Sequence, residues 1–273
     1  APVAVLDIGG TKIAGAIITR HDNILIEASI ETPISDGTTI INTAQSLITS
    51  LIEESNIQPI ALGVSTGGQI NREGLIVGGT GMLPGWTDAP LKESLSDAFG
   101  LFTHVLNDGH SAALAEARYG AGAMYNSVLC VAIGTGLGGG LVINGDLQHG
   151  VNGLTGSIGQ LKITRDGDTY VPLERYVSGP GLVTLYNEQV SDNDHVSTGL
   201  EVATRALAGE ELACDVVEKI GEWLGLGLSH ALHIYDASCV VIGGSVAQLG
   251  DLLLNPTRKS LKKHGHSTAT NTP

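Results

Sequence analysis

The sequence predicts an α/β protein of two domains with related topology, and three observations carry that expectation. A β-meander with a glycine first turn occurs twice, about half the chain apart. Each copy is followed by sequence with helical period. The composition, 42% hydrophobic and 15% charged over 273 residues, supplies apolar material for one large core or two modest ones. Aromatic residues make up only 4%, so the core has to be built from Ile, Leu, Val and Ala.

The first meander is "VAVLDIGGTKIAGAIITRHDNILIEASIETP". It reads as a strand ending at Asp7, a turn at Gly9-Gly10, a second strand "KIAGAIIT", a polar turn at Arg20 to Asn23, and a third strand "ILIEASIE". Residues 39–55 then place Ile40, Ile41, Ala44, Leu47, Ile48, Leu51 and Ile52 on one helical face. "ALGVSTG" (61–67) and "HVLND" (104–108) read as buried strands, and "SAALAEARYGAG" (111–122) as a helix ending at Gly120. In the second half, residues 210–235 form a long helix, and "CVVIGGSV" (239–246) is a buried strand that breaks at Gly243-Gly244.

The second meander, "VLCVAIGTGLGGGLVINGDLQHG" (128–150), satisfies G-x-G-x-x-G at Gly134, Gly136 and Gly139. A dinucleotide fingerprint needs a helix after the glycines, because the pyrophosphate rests on the helix N-terminus. Here "LVING" follows, and Asn144-Gly145 is a type I′ hairpin signal. The context is strand, turn, strand, turn, strand, so the fingerprint reading fails. Two glycine hairpins can instead clamp a polyphosphate, since glycine lets the backbone approach and its N–H groups form an anion nest. The plainer alternative is two ordinary tight hairpins.

Charge and cysteine usage narrow the function classes. The net charge of −14 disfavours nucleic-acid binding, which needs a basic surface. Cys130, Cys214 and Cys239 lie far apart without a C-x-x-C pair; Cys130 and Cys239 sit in apolar runs and read as inert core residues. No disulfide framework is expected, which points to a reducing, cytoplasmic setting. The sequence opens on an apolar strand-like run, with no basic leader and no spanning segment, so no membrane association is expected.

The stretches "LDIGGTKIAGAI", "LNDGHSAALAEARYGAG", "IGTGLGGGLVINGDL" and "VVIGGSVA", in this order, resemble the ROK family of sugar kinases. The resemblance runs from residue 3 to about 262. It implies the two-domain actin-like ATPase (ribonuclease H-like) fold with an interdomain cleft, here divided as residues 1–108 and 109–273, with a polar tail from about 264. It implies ATP and Mg²⁺ as cofactors, a sugar as substrate, and a homodimer. By position, Asp7, Gly9, Gly10, Thr11 and Lys12 match the first phosphate motif. Gly134, Thr135, Gly136, Gly138 and Gly139 match the second, and Gly243, Gly244 and Ser245 the adenosine-side turn. Asp108 matches the catalytic base, with Asn107 beside it on the sugar. Thr66, Gly67, Gly85, Ser157, Gln160 and Glu174 fall on further sugar-side positions. Elementary chemistry agrees, because a sugar hydroxyl is a poor nucleophile until a carboxylate removes its proton. The alternative role for Asp108 is to cap the helix starting near Ser111. Asp7, before a glycine turn, also suits a carboxylate that holds Mg²⁺ through water.

Four departures from the family pattern stand out. Gln160 occupies the position of the His in G-x-x-G-H, and no Cys lies in 161–178, so no structural zinc is expected. Ser157 replaces the sugar-binding Glu of G-E-x-G-H. Met82, in "GTGMLPGW", stands where a sugar-contacting Asn often occurs. The closing helix is not visible after Lys263, where "HGHSTATNTP" reads as a polar tail. His230 and His233, three apart on the long helix, could face a metal but fit core or interface packing better.

The expected activity is therefore phosphorylation of the 6-hydroxyl of a hexose or N-acetylhexosamine. "STG" (65–67), "PLKESL" (90–95) and "LND" (106–108) resemble N-acetylmannosamine kinases, which makes N-acetylmannosamine the first expectation, and "LPGW" (83–86) resembles glucokinases, the alternative. A non-catalytic sugar-binding protein is the rival suggested by Ser157, Met82 and Gln160. A repressor is the other, against which stand the net charge and the six residues before Asp7.

Overall fold

The computed structural model of the chain describes residues 1–19, 23–164 and 169–273. The polar turn expected at Arg20 to Asn23 therefore lies, through Asp22, outside the described residues. The chain divides into two compact units, Ala1–Ser111 with His149–Leu154, and Ala112–Gln148 with Thr155–Pro273.

The first unit contains β1 (Val3–Ile8), β2 (Lys12–Ile18), β3 (Ile24–Glu31), α1 (Gly37–Ser55), β4 (Ala61–Thr66), β5 (Gln69–Ile70), β6 (Ile76–Gly78), α2 (Leu91–Phe99) and β7 (Phe102–Asn107). The helix α3 (Asp108–Tyr119) starts here and runs into the second unit. The main sheet has the order β3-β2-β1-β4-β7. The first three strands are antiparallel, and β1, β4 and β7 are parallel. On β1 the two-residue period buries Ala4, Leu6 and Ile8 and turns the exposed Asp7 to the other face. Ile40, Ala44, Leu47, Ile48 and Leu51 of α1 are buried, which is the face its period predicts. Asp36 caps this helix by accepting from the Thr39 N–H at 2.8 Å. Leu47 and Leu51 come down on Gly15, whose missing Cβ would lie 3.1 Å from each side chain.

The second unit contains β8 (Ser127–Ile133), β9 (Leu137–Ile143), β10 (Asp146–Leu147), β11 (Lys162–Thr164), β12 (Tyr170–Pro172), α4 (Gly179–Asn187), α5 (Gly199–Leu207), α6 (Glu211–Tyr235), β13 (Cys239–Gly243) and α7 (Asp251–His264). Its main sheet has the order β10-β9-β8-β13, with β8 and β13 parallel. This repeats the β3-β2-β1-β4 arrangement of the first unit. Asn144 and Gly145 have φ of 53° and 81°, as a type I′ turn requires. The long helix α6 buries Val216, Ile220, Leu224 and Leu228. It approaches α7 closely at Gly221 and Gly225, where a side chain would meet Pro256 and Thr257.

Three expectations differ from what is seen. The division after Asp108 would cut the first turn of α3, which is continuous; the compact units part after Ser111, and the short segment His149–Leu154 joins the first unit. Gly153 of that segment lies directly against the Ile70 backbone. The stretch read as a polar tail is ordered against its unit: α7 extends to His264, Ala269 packs on the core, and the Val240 N–H donates to the Pro273 carbonyl at 2.9 Å. Of the core or interface packing expected for His230 and His233, the core is ruled out, since both are exposed, and His233 Nε2 accepts from the His266 N–H at 3.0 Å.

Candidate active site

In the first unit, β1 ends in the turn Gly9-Gly10 and β2 begins at Lys12. The Gly9 N–H donates to the Lys12 carbonyl at 3.0 Å. The Thr32 hydroxyl donates to the Gly9 carbonyl at 2.6 Å, and the Thr32 N–H donates to the Thr11 carbonyl at 3.0 Å. The turn is thus fixed from β3, while the side chains of Asp7, Thr11 and Lys12 stay exposed. Met82 packs on Gly10, where a Cβ would lie 2.7 Å from that of Met82.

Asp108 is the first residue of α3, directly after β7. The capping role falls to Asn107 instead, whose Oδ1 accepts from the Gly109 N–H at 2.8 Å and the His110 N–H at 3.3 Å. Its Nδ2 donates to the Gly68 carbonyl at 2.7 Å, so Asn107 clamps β7 to the end of β4. Asp108 accepts from its neighbour Gly109 at 2.7 Å, and the Asn107 side chain also stabilises its ionised form. Its side chain remains open to solvent, yet the surrounding protein removes enough water to raise its pKa above the ordinary 3.8. The like charge of Asp7 raises it further, and the Gly109 N–H opposes both. A carboxylate of raised pKa, reachable from solvent and beside a second carboxylate, has the properties of a general base.

Thr66 does not have the role its position suggested. It is fully buried, its hydroxyl donates to the Ile8 carbonyl at 3.2 Å, and it accepts from the Trp86 indole N–H at 3.2 Å. It positions the end of β1 and the loop carrying Gly85, rather than offering a group to a ligand. Gly67 packs against Thr80, and Gly85 takes φ of 66° close to the Gly37 N–H.

In the second unit the glycine run divides into a turn and a strand. Gly134, Thr135 and Gly136 form the turn, with the Gly134 N–H donating to the Gly136 carbonyl at 2.9 Å. Gly138 and Gly139 lie inside β9, opposite Ala132 and Val131. Gly139 is buried, and a Cβ there would come within 2.5 Å of the Cys130 carbonyl and 2.9 Å of the Gly156 carbonyl. It is a packing glycine that lets the 156 loop lie on the sheet, which corrects its assignment to the phosphate turn. Gly243 ends β13, and Gly244, at φ 90°, lies against the Ile133 backbone, so no side chain fits there.

The turn opens on a cavity of about 500 Å³, bordered by Gly134, Thr135 and Ser245 and walled by α4 and α5. Both helices present capped N-termini, with the Ser178 hydroxyl accepting from Gly181 at 3.1 Å and Thr198 accepting from Glu201 at 3.2 Å. The Gly179 N–H donates to the Gly134 carbonyl at 2.7 Å, which ties α4 to the turn. Sequence reasoning missed these walls, although "SGPG" and the T-x-x-E pattern at Thr198 are readable helix starts. Gln160 and Glu174 are brought together, Nε2 to Oε1 at 2.7 Å, and Glu174 Oε2 lies 3.3 Å from where a Gly136 side chain would begin. Ser157 lies just before the 3-10 turn that carries Gln160.

Two units with the same strand order, each with a glycine turn after its first strand, are the architecture of the actin-like ATPases. The chain matches the ROK family over residues 3–273, and it belongs to that family. It is 30% identical over 279 residues to a glucokinase of Streptomyces coelicolor, covering 94% of this chain and 86% of that protein. It is 28% identical over 273 residues to an N-acetyl-D-glucosamine kinase of Pectobacterium atrosepticum, covering 92% and 86%. A ROK family glucokinase from Streptomyces griseus, solved with glucose and AMPPNP, superposes with a TM-score of 0.80 at 27% identity, covering 96% of this chain and 89% of that one.

Proposed function

We propose that the protein is an ATP-dependent sugar kinase acting on the 6-hydroxyl of a hexose or N-acetylhexosamine. The observation that carries this reading is Asp108, a solvent-open carboxylate at a strand-to-helix junction with its pKa raised. In the proposed reaction its carboxylate takes the hydroxyl proton. The hydroxyl oxygen forms a bond to the γ-phosphorus as the bond from that phosphorus to the bridging oxygen breaks, leaving ADP and the sugar phosphate. Asn107 holds Asp108 in place through the helix cap. Glu174, oriented by Gln160, is the sugar-side carboxylate of the second unit, and Ser157 contributes a hydroxyl there. The turn Gly134–Gly136, with Gly244 and Ser245, receives the nucleotide through backbone and hydroxyl groups. The turn Gly9–Lys12 receives the phosphates through its glycine backbone at Gly10, the Thr11 hydroxyl and the Lys12 cation, with Gly9 closing the turn onto the Lys12 carbonyl.

The exposed carboxylate of Asp7 is a hard oxygen donor of the kind Mg²⁺ takes, directly or through water. When bound, the ion neutralises phosphate charge. A structural zinc does not fit. The Gln160 amide is committed to Glu174, Cys130 and Cys239 are buried in β8 and β13, and burial beside Glu116 pushes the Cys130 thiol up to about 12, far from a thiolate ligand. Elemental analysis is expected to find no stoichiometric zinc; one zinc per chain would overturn this.

The two sequence signals that favoured different sugars turn out to be partners. Thr66 of "STG" accepts from Trp86 of "LPGW", so both belong to one packing arrangement. The named relatives make glucose the first sugar to test and N-acetylhexosamines the second. ADP formation is measured with ATP, Mg²⁺ and a panel of glucose, mannose, N-acetylglucosamine and N-acetylmannosamine. Sugar-dependent turnover is expected with at least one; none with any would favour a non-catalytic sugar-binding protein. We expect action in the cytoplasm, in keeping with unpaired cysteines, and as a homodimer, which sedimentation would check. Among the described residues no helix is long and apolar enough to cross a membrane.

A further inference from the structure

We infer that the nucleotide pocket of the second unit does not read the 6-position of a purine, so that GTP and ITP donate phosphoryl groups on nearly equal terms with ATP. The inference rests on the reading of this cavity as the donor site and concerns what its walls can distinguish.

Adenine presents an amino donor at its 6-position, whereas guanine and hypoxanthine present a carbonyl acceptor. A protein separates them with a group fixed as acceptor or donor, such as a carboxylate, an amide or a cation. Among the described residues lining the cavity there is no Asp, Glu, Asn, Gln, His, Lys or Arg side chain. The walls are apolar, through Leu182, Val183, Leu200 and Ala203, and the polar side chains are all hydroxyls. Two of these hydroxyls are already engaged. Thr184 donates to the Pro180 carbonyl at 3.0 Å, and Thr198 both donates to Glu201 Oε1 at 3.1 Å and caps α5. Thr135, Ser197 and Ser245 are left as the adaptable groups. A serine hydroxyl rotates to donate to a carbonyl or accept from an amine, and so pairs with either base. The apolar wall rewards the flat ring surface that all purines share.

The size of the expected effect follows from the same chemistry. A site built around fixed polar partners rejects the wrong analogue by roughly 10⁴–10⁵-fold, because a buried group is left unpaired. With no fixed polar side chain on the walls, neither base leaves a side chain unpaired. The preference of ATP over ITP and over GTP is therefore expected within about tenfold.

Two measurements on the full chain decide this. Binding of ADP, IDP and GDP is followed by calorimetry with Mg²⁺ present, and kcat/KM is measured for ATP, ITP and GTP with the sugar identified by the panel. Ratios below tenfold in both support the inference. A preference for the adenine nucleotide above tenfold over the inosine nucleotide overturns it, since the two differ only at the 6-position and in the proton that N1 carries with it. Diphosphate binding without turnover from any triphosphate would contradict the kinase reading, and the ratio of binding constants would still decide the question of the base.

Discussion

Both units begin with the same antiparallel meander, β3-β2-β1 in the first and β10-β9-β8 in the second, yet the turn after the first strand is built differently in each. In the first unit Asp7 and Lys12 flank the turn, and Thr32 pins its carbonyl from the neighbouring strand. In the second, Gly134–Gly136 carries no charged side chain of its own; it is held by the Gly179 N–H and lies beside Glu174. The first unit also brings Asp108 close enough to Asp7 for the two charges to interact. The second offers backbone and hydroxyl groups beside a cavity. One scaffold thus carries two chemistries. Ionised side chains suit proton and metal handling, and neutral donors suit a ligand that brings its own charge.

The largest expected effect sharpens the division of the second turn. Gly139→Ala drives a methyl into two backbone carbonyls and should destabilise the protein by about 3 kcal/mol or more by overpacking. Gly134→Ala has open space up to Ser245 Oγ at 3.9 Å and should leave stability nearly unchanged. Denaturant unfolding of both variants checks the contrast; equal losses would erase the distinction between turn and strand.

A smaller effect is expected in the first unit from Asp7→Asn. Asp108 has its pKa raised above 3.8, first by desolvation and then by Asp7. It acts as a base only above that pKa, so the acid limb of kcat/KM lies above pH 3.8 and activity falls as the pH drops through it. Removing the Asp7 charge should move the Asp108 titration downward, read directly by carboxyl NMR. An unmoved titration would break the link between the two carboxylates.

The smallest effect concerns His149, whose ring lies edge-on to His110 at 5.8 Å and to His104 at 6.5 Å between centroids. Desolvation, then His110, His104 and Arg72, hold its pKa below 6.5. The unfolded chain then binds more protons, so stability falls as pH drops below 6.5. His149→Gln should flatten the decline of Tm between pH 7 and 5; an unchanged slope would remove this histidine from the acid response.

Much of this architecture was legible because its signals are local. The α1 face, the Asn144-Gly145 turn and α6 each follow from spacing within one segment. The site was less legible wherever a role depends on a distant partner. Asn107 caps α3 while holding Gly68, 39 residues away in sequence, whereas the sequence alone offered the cap as the alternative role of Asp108. Thr66 looks like a ligand-side hydroxyl until Trp86 is placed against it. Gly139 reads as part of a phosphate turn until Gly156 is brought onto β9. The walls of the cavity were missed although their helix caps could be read, because nothing local says that α4 and α5 converge on the Gly134 turn.

The proposed function assigns the nucleotide to the second unit and the base to Asp108 of the first. It is tested most directly by Asp108→Asn, with ADP binding and sugar phosphorylation measured on the same sample. Asn107 keeps the helix cap in this variant, so folding and Tm should be preserved. The expected result is an ADP Kd within about twofold of the parent, since no nucleotide group is removed, and a kcat lower by roughly 10²–10⁴-fold. Parental turnover with intact ADP binding would contradict the assignment of Asp108 as the base.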